Sequence, residues 1–149
     1  MGTHYEGTDE EKTTLNAFIK LMRATESVNT RLNRHLADAD ITVSQFGVLE
    51  ALLHLGPLNQ KALGEKLLKS GGNITMVIDN LERCGYVERQ RDPEDRRSVL
   101  IHLTEDGKKF IQDFFPKHLE AIKNEFSVLS RQEKEQLAEI CKKLGLQGK

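Results

Sequence analysis

The 149-residue sequence predicts a mostly α-helical protein with one small β-hairpin. Two observations predict this fold class. Apolar residues recur at every third or fourth position through most of the chain, as they do on the buried stripe of an α-helix. Two short neighbouring stretches, 86–90 and 98–103, have strand patterns, and apolar residues recur at every second position of the second stretch, as they do on a half-buried strand. The length suits one domain, so we expect one helical unit that carries the hairpin.

The composition is that of an ordinary globular protein outside the membrane. Hydrophobic residues make up 38% of the chain and charged residues 30%. No apolar run has the length of a membrane span, and the N-terminus lacks a signal-peptide pattern. Cys84 and Cys141 show no paired spacing, which favours a reducing compartment, so a cytoplasmic location is expected. Because the net charge is −1, any nucleic-acid binding must depend on where the charges lie.

The first predicted helix is long and begins at a capping box formed by Thr8 and Glu11. Its apolar stripe consists of Leu15, Phe18, Ile19, Met22, Val28, Leu32 and Leu36. A helix of about 30 residues is about 45 Å long, more than its own small domain can cover. We therefore expect a partner subunit to bury the remainder.

Three shorter helices are predicted next. Thr42 and Gln45 form a second capping box, and Gly56 with Pro57 ends that helix. Asn59 caps a short helix that reaches Leu67, and the stretch KSGGN then breaks the chain at two glycines. The next helix has an inward stripe of Ile74, Val77, Ile78 and Leu81 and ends at Gly85. Two short helices joined by a tight turn form a helix-turn-helix.

Two strands and two further helices complete the chain. In the second strand Val99, Ile101 and Leu103 share one face, so His102 is expected to be solvated. Thr104 caps the following helix, which Pro116 is expected to kink or interrupt. Ser130 and Glu133 form a third capping box before the last helix.

A helix-turn-helix followed directly by a hairpin is a winged-helix arrangement. We therefore assign residues 42–103 to a winged helix-turn-helix, and residues 8–41 and 104–147 to a flanking helical dimerisation region.

The helix after the glycines presents small and hydrogen-bonding residues opposite its apolar stripe. Asn73 can pair with adenine through two hydrogen bonds, and Thr75 can meet a thymine methyl group or a phosphate. The amide groups of its first turn suit a phosphate. The alternative is that such residues are merely those of any helix start. The predicted DNA contacts of this segment are Ser70, Gly72, Asn73, Thr75 and Met76.

The hairpin, or wing, carries a cluster of arginines around its turn. Asp95 can brace Arg97, and a braced guanidinium suits the narrow, electronegative minor groove. Asp92 and Glu94 count against indiscriminate binding to phosphates. A solvated turn and a protein-interaction module are the alternatives. The predicted DNA contacts of the wing are Arg89, Arg91, Asp95, Arg96 and Arg97.

Motifs of enzymes and metal sites are missing from the sequence. The five histidines form no metal-ligand pattern, and the chain has no phosphate-binding loop or nucleophile elbow. We therefore expect no enzymatic activity, cofactor or metal. Cys84 and Cys141 are expected to be passive thiols, with redox sensing as the alternative.

The segment LNQKALGEKLLKSGGNITMVIDNLERCGYVERQRDPEDRRSVLIHLTEDGKKF resembles the winged-helix core of the MarR family of bacterial transcription regulators. The most specific elements are the Asp-x-Arg pattern at Asp95 and Arg97 and the Leu-Thr-x-x-Gly step that ends at Gly107. The resemblance implies a homodimer that represses nearby genes from palindromic double-stranded DNA sites. The stretches LLKSGGNITMVIDNLE and FPKHLEAI more narrowly resemble the quinone- and catechol-responsive branch.

Two features depart from other branches of this family. Met76 and Asp79 stand where many members carry a basic residue, and the first helix begins without the cysteine of the peroxide-sensing branch.

The same resemblance implies release from DNA by a small aromatic or phenolic effector. Its site is expected at the junction between the first helix and the winged domain, since a wedge there changes the spacing of the two recognition helices. Ordinary core packing is the alternative role for these side chains. The predicted ligand residues are Met22, Asn29, Phe46 and Leu49.

Overall fold

The computed structural model describes residues 2–67 and 71–147, which form a helical protein with a small antiparallel sheet. The elements in chain order are α1 (Asp9–Ala37), α2 (Val43–Leu55), β1 (Leu58–Asn59), α3 (Gln60–Leu67), α4 (Gly71–Arg83), β2 (Val87–Arg91), β3 (Val99–Leu103), α5 (Glu105–Glu125) and α6 (Arg131–Gly145). The predicted fold class, a winged helix-turn-helix flanked by helices, is confirmed. No helix in the described ranges is long and apolar enough to cross a membrane.

Helix starts were well predicted because capping is a local interaction. The three predicted capping boxes are formed: the side chains of Thr8, Thr42 and Ser130 each accept a hydrogen bond from the backbone amide of the third helical residue, and their own backbone amides donate one to that residue's side chain. Thr104 caps α5 by accepting a hydrogen bond from the Gly107 amide. Asn59 likewise accepts from the Ala62 amide, at 2.8 Å.

The sheet has one more strand than the sequence predicts. Its order is β1-β3-β2, and Leu58 and Asn59 of β1 pair antiparallel with Ile101 and Leu100 of β3. A strand of two residues is too short to show alternation, which explains why it was not predicted. The pairing ties the base of the wing to the start of α3.

Two helix boundaries differ from those predicted. Gly71 and Gly72 belong to α4 and do not precede it. Glycine is least costly in the first turn of a helix, where the amide groups have no intrahelical partner. Pro116 does not interrupt α5, which continues to Glu125. Phe114 before it and His118 after it are both buried, so packing on either side outweighs the lost hydrogen bond.

The core lies between α2, α4, the sheet and α5. Its fully buried side chains are Leu36, Val48, Leu49, Leu63, Ile74, Ile78, Leu81, Val87, Ile101 and Ile111. Val99 is 43% exposed although it shares a strand face with Ile101, because the wing leaves the core there. His102, which was expected to be solvated, is half-buried.

The joint between the sheet and α5 explains the Leu-Thr-x-x-Gly step. The Thr104 amide donates to the Tyr86 carbonyl at 3.0 Å, and its hydroxyl donates to the Gly85 carbonyl at 2.6 Å. A Cβ on residue 107 would overlap the Tyr86 carbonyl oxygen. Glycine is required at 107 because backbone lies directly against it.

The outer helices leave much apolar surface uncovered. Leu36 is the buried residue of α1, and every residue of α6 is exposed or half-exposed. Arg31 of α1 donates to both carboxylate oxygens of Glu125 at 2.7 and 2.8 Å, which fastens α1 to the end of α5. The exposed apolar side chains of these two helices are Phe18, Met22, Leu137, Ile140 and Leu144.

Candidate nucleic-acid interface

The helix α4 buries one side and exposes the other, as predicted. Ile74, Ile78 and Leu81 are at most 2% exposed. Asn73, Thr75, Met76 and Asp79 are exposed, and Met76 reaches 63%. Gly72 lies in the first turn of α4. Ser70, also predicted as a DNA contact, lies outside the described residues.

The exposed side of α4 is connected to its neighbours by hydrogen bonds. The Gln60 side-chain amide at the start of α3 donates to the Thr75 hydroxyl at 2.9 Å, so the two helices of the helix-turn-helix are linked directly. Gln60 was not among the residues predicted from the sequence. Its signal is its position directly after the cap Asn59, on the first turn of the helix that packs beside α4.

The turn of the wing is organised by aspartate side chains. Asp92 accepts from the Glu94 amide at 2.9 Å, and Asp95 accepts from the Arg97 amide at 3.0 Å. Such turns form because a short carboxylate replaces a backbone carbonyl as acceptor. Asp92, one of the two acids that were expected to repel DNA phosphates, therefore also shapes the turn.

The wing arginines fall into two groups. Arg91, Arg96 and Arg97 are exposed, and Arg97 is 96% exposed with its Nε 3.7 Å from the Asp95 carboxylate. Arg91 donates to the Arg96 carbonyl at 2.9 Å, which steadies the turn. Arg89 instead donates to Asp79 at 2.6 Å and to Glu82 at 2.7 Å on α4. The predicted set thus contains three outward arginines and one engaged within the protein.

The predicted ligand residues lie in different surroundings. Phe46 is 6% exposed and Leu49 fully buried, so both have the core role that was the alternative. Met22 is 46% exposed on α1. Asn29 lies on the wall of an open groove of about 570 Å³ between α1 and the start of α2. The other lining residues are Asn33, Ala37, Ile41, Thr42, Val43 and Ser44.

Phe46 belongs to an aromatic cluster between α1, α2 and α5. Its ring centroid lies 4.2 Å from that of His118 and 5.9 Å from that of Phe114. His35 stacks on Phe114 at 5.2 Å. Burial, and then repulsion from His35, lower the pKa of His118. Among the described residues, His35 Nε2 and His118 Nδ1 are buried nitrogens without a hydrogen-bond partner.

The candidate metal ligands and the two thiols are placed as follows. Residues 2–67 and 71–147 contain no group of three or more His, Cys, Asp or Glu side chains that could hold a metal ion. Cys84 and Cys141 are both exposed, and Cys141 also lies beside a second groove, between α1 and the α5–α6 corner.

Sequence comparison connects this geometry to known regulators. Residues 39–98 match the sequence profile of the MarR family. The HTH-type transcriptional regulator MhqR of Bacillus subtilis is 38% identical over 135 residues, which cover 91% of this chain and 93% of the relative. An uncharacterised HTH-type regulator of the same organism, YkoM, is 37% identical over 138 residues, covering 93% and 90% of the two chains.

Solved structures of MarR regulators have a fold similar to that of this chain. A mutant MarR from E. coli complexed with operator DNA is 25% identical, with a TM-score of 0.80, covering 92% of this chain and 99% of that one. AbsC, a MarR family regulator from Streptomyces coelicolor, is 19% identical with a TM-score of 0.84, covering 95% of each chain.

Proposed function

Since this chain belongs to the MarR family of DNA-binding transcriptional regulators, a non-enzymatic family, we propose that it is a homodimeric repressor. In this proposal residues 42–103 contact double-stranded DNA, and residues 8–41 and 104–147 join the subunits. The target is a pseudo-palindromic operator, because a two-fold symmetric dimer meets two equivalent half-sites. The protein acts in the cytoplasm.

The observation that carries the proposal is the pairing of an exposed polar helix face with an exposed cationic wing. Gly72, Asn73, Thr75 and Met76 of α4 are assigned to the major groove, and Ser70, which lies outside the described residues, is assigned to it as well. Arg97, braced by Asp95, is assigned to the minor groove, and Arg91 and Arg96 to the flanking backbone.

Footprinting of the region upstream of the chain's own gene, followed by titration of the protected duplex, tests this proposal. Specific binding with a steep decrease of affinity as salt rises is expected, because phosphate contacts release counterions. A protein-interaction module with an acidic partner would instead bind neither this duplex nor random DNA. Absence of salt-dependent DNA binding by the wild-type dimer would overturn the proposal.

We also propose that a planar phenol, quinone or benzoate-like compound releases the repressor. The groove beside Asn29 has the volume of small-molecule sites, and it lies where α1 meets the winged domain. A compound bound there can switch the protein only if it binds the DNA-fitting and non-fitting dimers with different affinity. Of the other predicted ligand residues, Met22 lies exposed on α1, whereas Phe46 and Leu49 are buried in the core and do not line this groove.

Addition of such compounds is expected to lower the affinity of the protein for its operator reversibly. Asn29→Ala is expected to reduce this loss of affinity. Phe46→Leu is preferable to Phe46→Ala, because truncation of a buried Phe costs about 3–5 kcal/mol of stability. Cys84→Ser/Cys141→Ser is the control. If that variant loses the whole response, a thiol sensor replaces the groove as the switch.

A further inference from the structure

Arg89 lies on the face of β2 that points into the protein. Val87, two residues earlier on the same strand, is 1% exposed, and side chains two apart on a strand share a face. Arg89 also pairs across the sheet with Ile101, which is fully buried. Its side chain is 25% exposed, far less than that of Arg97. The strand register therefore directs Arg89 toward α4.

The part of α4 that receives Arg89 is a polar stripe. Thr75, Asp79 and Glu82 are spaced by four and three residues, so they lie one above another on the helix. Arg89 Nη2 is 2.6 Å from Asp79 Oδ1, and Nη1 is 2.7 Å from Glu82 Oε1. Each carboxylate thus receives a different amino group of the same guanidinium.

Gln60 extends these contacts to α3. Its Oε1 accepts from Arg89 Nη2 at 3.4 Å, and its Nε2 donates to the Thr75 hydroxyl at 2.9 Å. Arg89, Asp79, Glu82, Gln60 and Thr75 therefore form one set of bonded side chains, here called the Arg89 network. It joins the wing, the recognition helix and the helix before it.

Stability is a weak reason for this arrangement. The Asp79 and Glu82 side chains are 48% and 42% exposed, and ion pairs that open to solvent contribute little to folding. Their charge matters more toward DNA. Two carboxylates on the helix that approaches the phosphates repel them within the Debye length of about 8 Å, unless a cation offsets their charge.

We propose that Arg89 is a positioning residue of the DNA interface, which offsets the charge of Asp79 and Glu82 and holds α4 against the wing without contacting DNA. This inference rests on the proposed function, because it requires α4 to face DNA. Among the arginines predicted as DNA contacts, Arg89 is thus assigned an indirect role.

Four proteins test the inference: the wild type, Arg89→Ala, Asp79→Asn/Glu82→Gln, and the triple variant that combines these substitutions. Affinity for the footprinted operator is measured by fluorescence anisotropy across a series of KCl concentrations. Arg89→Ala is expected to weaken binding about tenfold in the wild-type background and less than twofold when both carboxylates are neutralised. Such coupling is expected when a residue acts through its neighbours.

The salt dependence separates this role from a phosphate contact. Loss of one phosphate contact lowers the slope of log affinity against log salt by about 0.9 in both backgrounds. Repulsion from the uncovered carboxylates is screened by salt, so any slope change caused by Arg89→Ala is expected to disappear when both carboxylates are neutralised. Arg89→Lys, which keeps the charge but lacks the two-pronged geometry, is expected to bind with intermediate affinity. Lys123→Ala, which removes a cation from the exposed pair with Glu120 on α5, is the control for net charge.

An equal loss in both backgrounds with a reduced slope would overturn the inference and make Arg89 a direct contact. Unchanged affinity in Arg89→Ala would overturn it as well. In both cases the wild type still binds DNA, so the proposed function stands. A wild type that does not bind DNA rejects the proposed function, and the inference fails with it. Comparison of thermal midpoints shows whether a variant loses operator affinity because it unfolds. The triple variant lacks Arg89 but has no unpaired carboxylates, so it serves as the better-folded form of the same test.

Discussion

The Arg97 side chain is more exposed to solvent than that of Arg89, which also forms ion pairs. The side chain of Arg97 is 96% exposed, and its backbone amide is held by the Asp95 carboxylate at 3.0 Å. The turn thus fixes the backbone and leaves the guanidinium extended. This is the geometry that insertion into a narrow minor groove requires.

Arg97→Ala is therefore expected to weaken operator binding by about 1–3 kcal/mol, the scale of a good specific contact, while the dimer stays intact. Asp95→Ala is expected to weaken binding less, since it removes the brace and leaves the cation. Anisotropy titrations at fixed salt measure both. Unchanged affinity in Arg97→Ala would show that the wing does not bind in the minor groove.

His118 makes the stability of the fold sensitive to acid. Burial and the nearby His35 lower its pKa in the folded state, while in the unfolded chain it titrates near the ordinary value of about 6.5. Below about pH 6.5 the unfolded chain therefore binds a proton that the folded chain does not. Stability from this group is complete above that pH and is lost as pH falls toward the folded pKa.

We expect the urea midpoint to decrease between pH 7.5 and pH 5.5, and to decrease less in His118→Leu. The substitution keeps an apolar side chain in the cluster with Phe46 and Phe114 and removes the titrating group. Parallel pH profiles in the two proteins would contradict the assignment to His118.

The helix α5 shows how packing overrides a local preference. Pro116 is exposed in the middle of a continuous helix, and its ring removes one backbone hydrogen bond. The helix persists because Ile111, Phe114 and His118 on its other side are buried. Those contacts are spread over two turns, so one lost bond does not end the helix.

Pro116→Ala is expected to raise the free energy of unfolding, because Pro costs about 3 kcal/mol relative to Ala inside a helix. Since Pro also stiffens the unfolded chain, the measured gain is expected to be smaller than this value. Urea denaturation monitored by circular dichroism measures it. Lys117→Ala, at the next exposed position of α5, is the control for a surface substitution. A lower midpoint for Pro116→Ala would mean that the ring contributes packing.

The apolar side chains of α6 lie exposed along one side of the helix. Leu137, Ile140 and Leu144 are 38%, 64% and 50% exposed, and their spacing places them on one stripe of the helix. On α1, Phe18 and Met22 are 58% and 46% exposed. A second copy of the chain is the occupant that the proposed dimer requires for both surfaces.

Leu144→Glu is expected to convert a dimer into a monomer at micromolar concentration and to abolish specific operator binding. A charge buried in an apolar interface is costly, and one half-site alone binds weakly. Sedimentation velocity and anisotropy measure the two effects. Lys142→Gln changes the net charge equally on the opposite side of α6 and is expected to change neither. A Leu144→Glu monomer with full operator affinity would disprove the dimeric mode of binding.

Interactions within a few residues were predictable from the sequence. The capping boxes at Thr8, Thr42 and Ser130 join groups three residues apart, so the positions at which α1, α2 and α6 begin are encoded locally. The apolar stripe of α4 follows from helical spacing alone, and so does its exposed side with Asn73 and Met76. The winged helix-turn-helix followed from the order of these elements.

Contacts between distant parts of the chain were decided only by the tertiary structure. The sequence has no local signal that β1 pairs with β3, some 40 residues away, or that Phe46 packs against Phe114 and His118 of α5. Arg89 looked like its neighbours on the wing, yet the pairing register turned it toward carboxylates seven and ten residues away. Capping and periodicity depend on neighbours in the chain, whereas the role of a charged side chain depends on what the fold brings beside it.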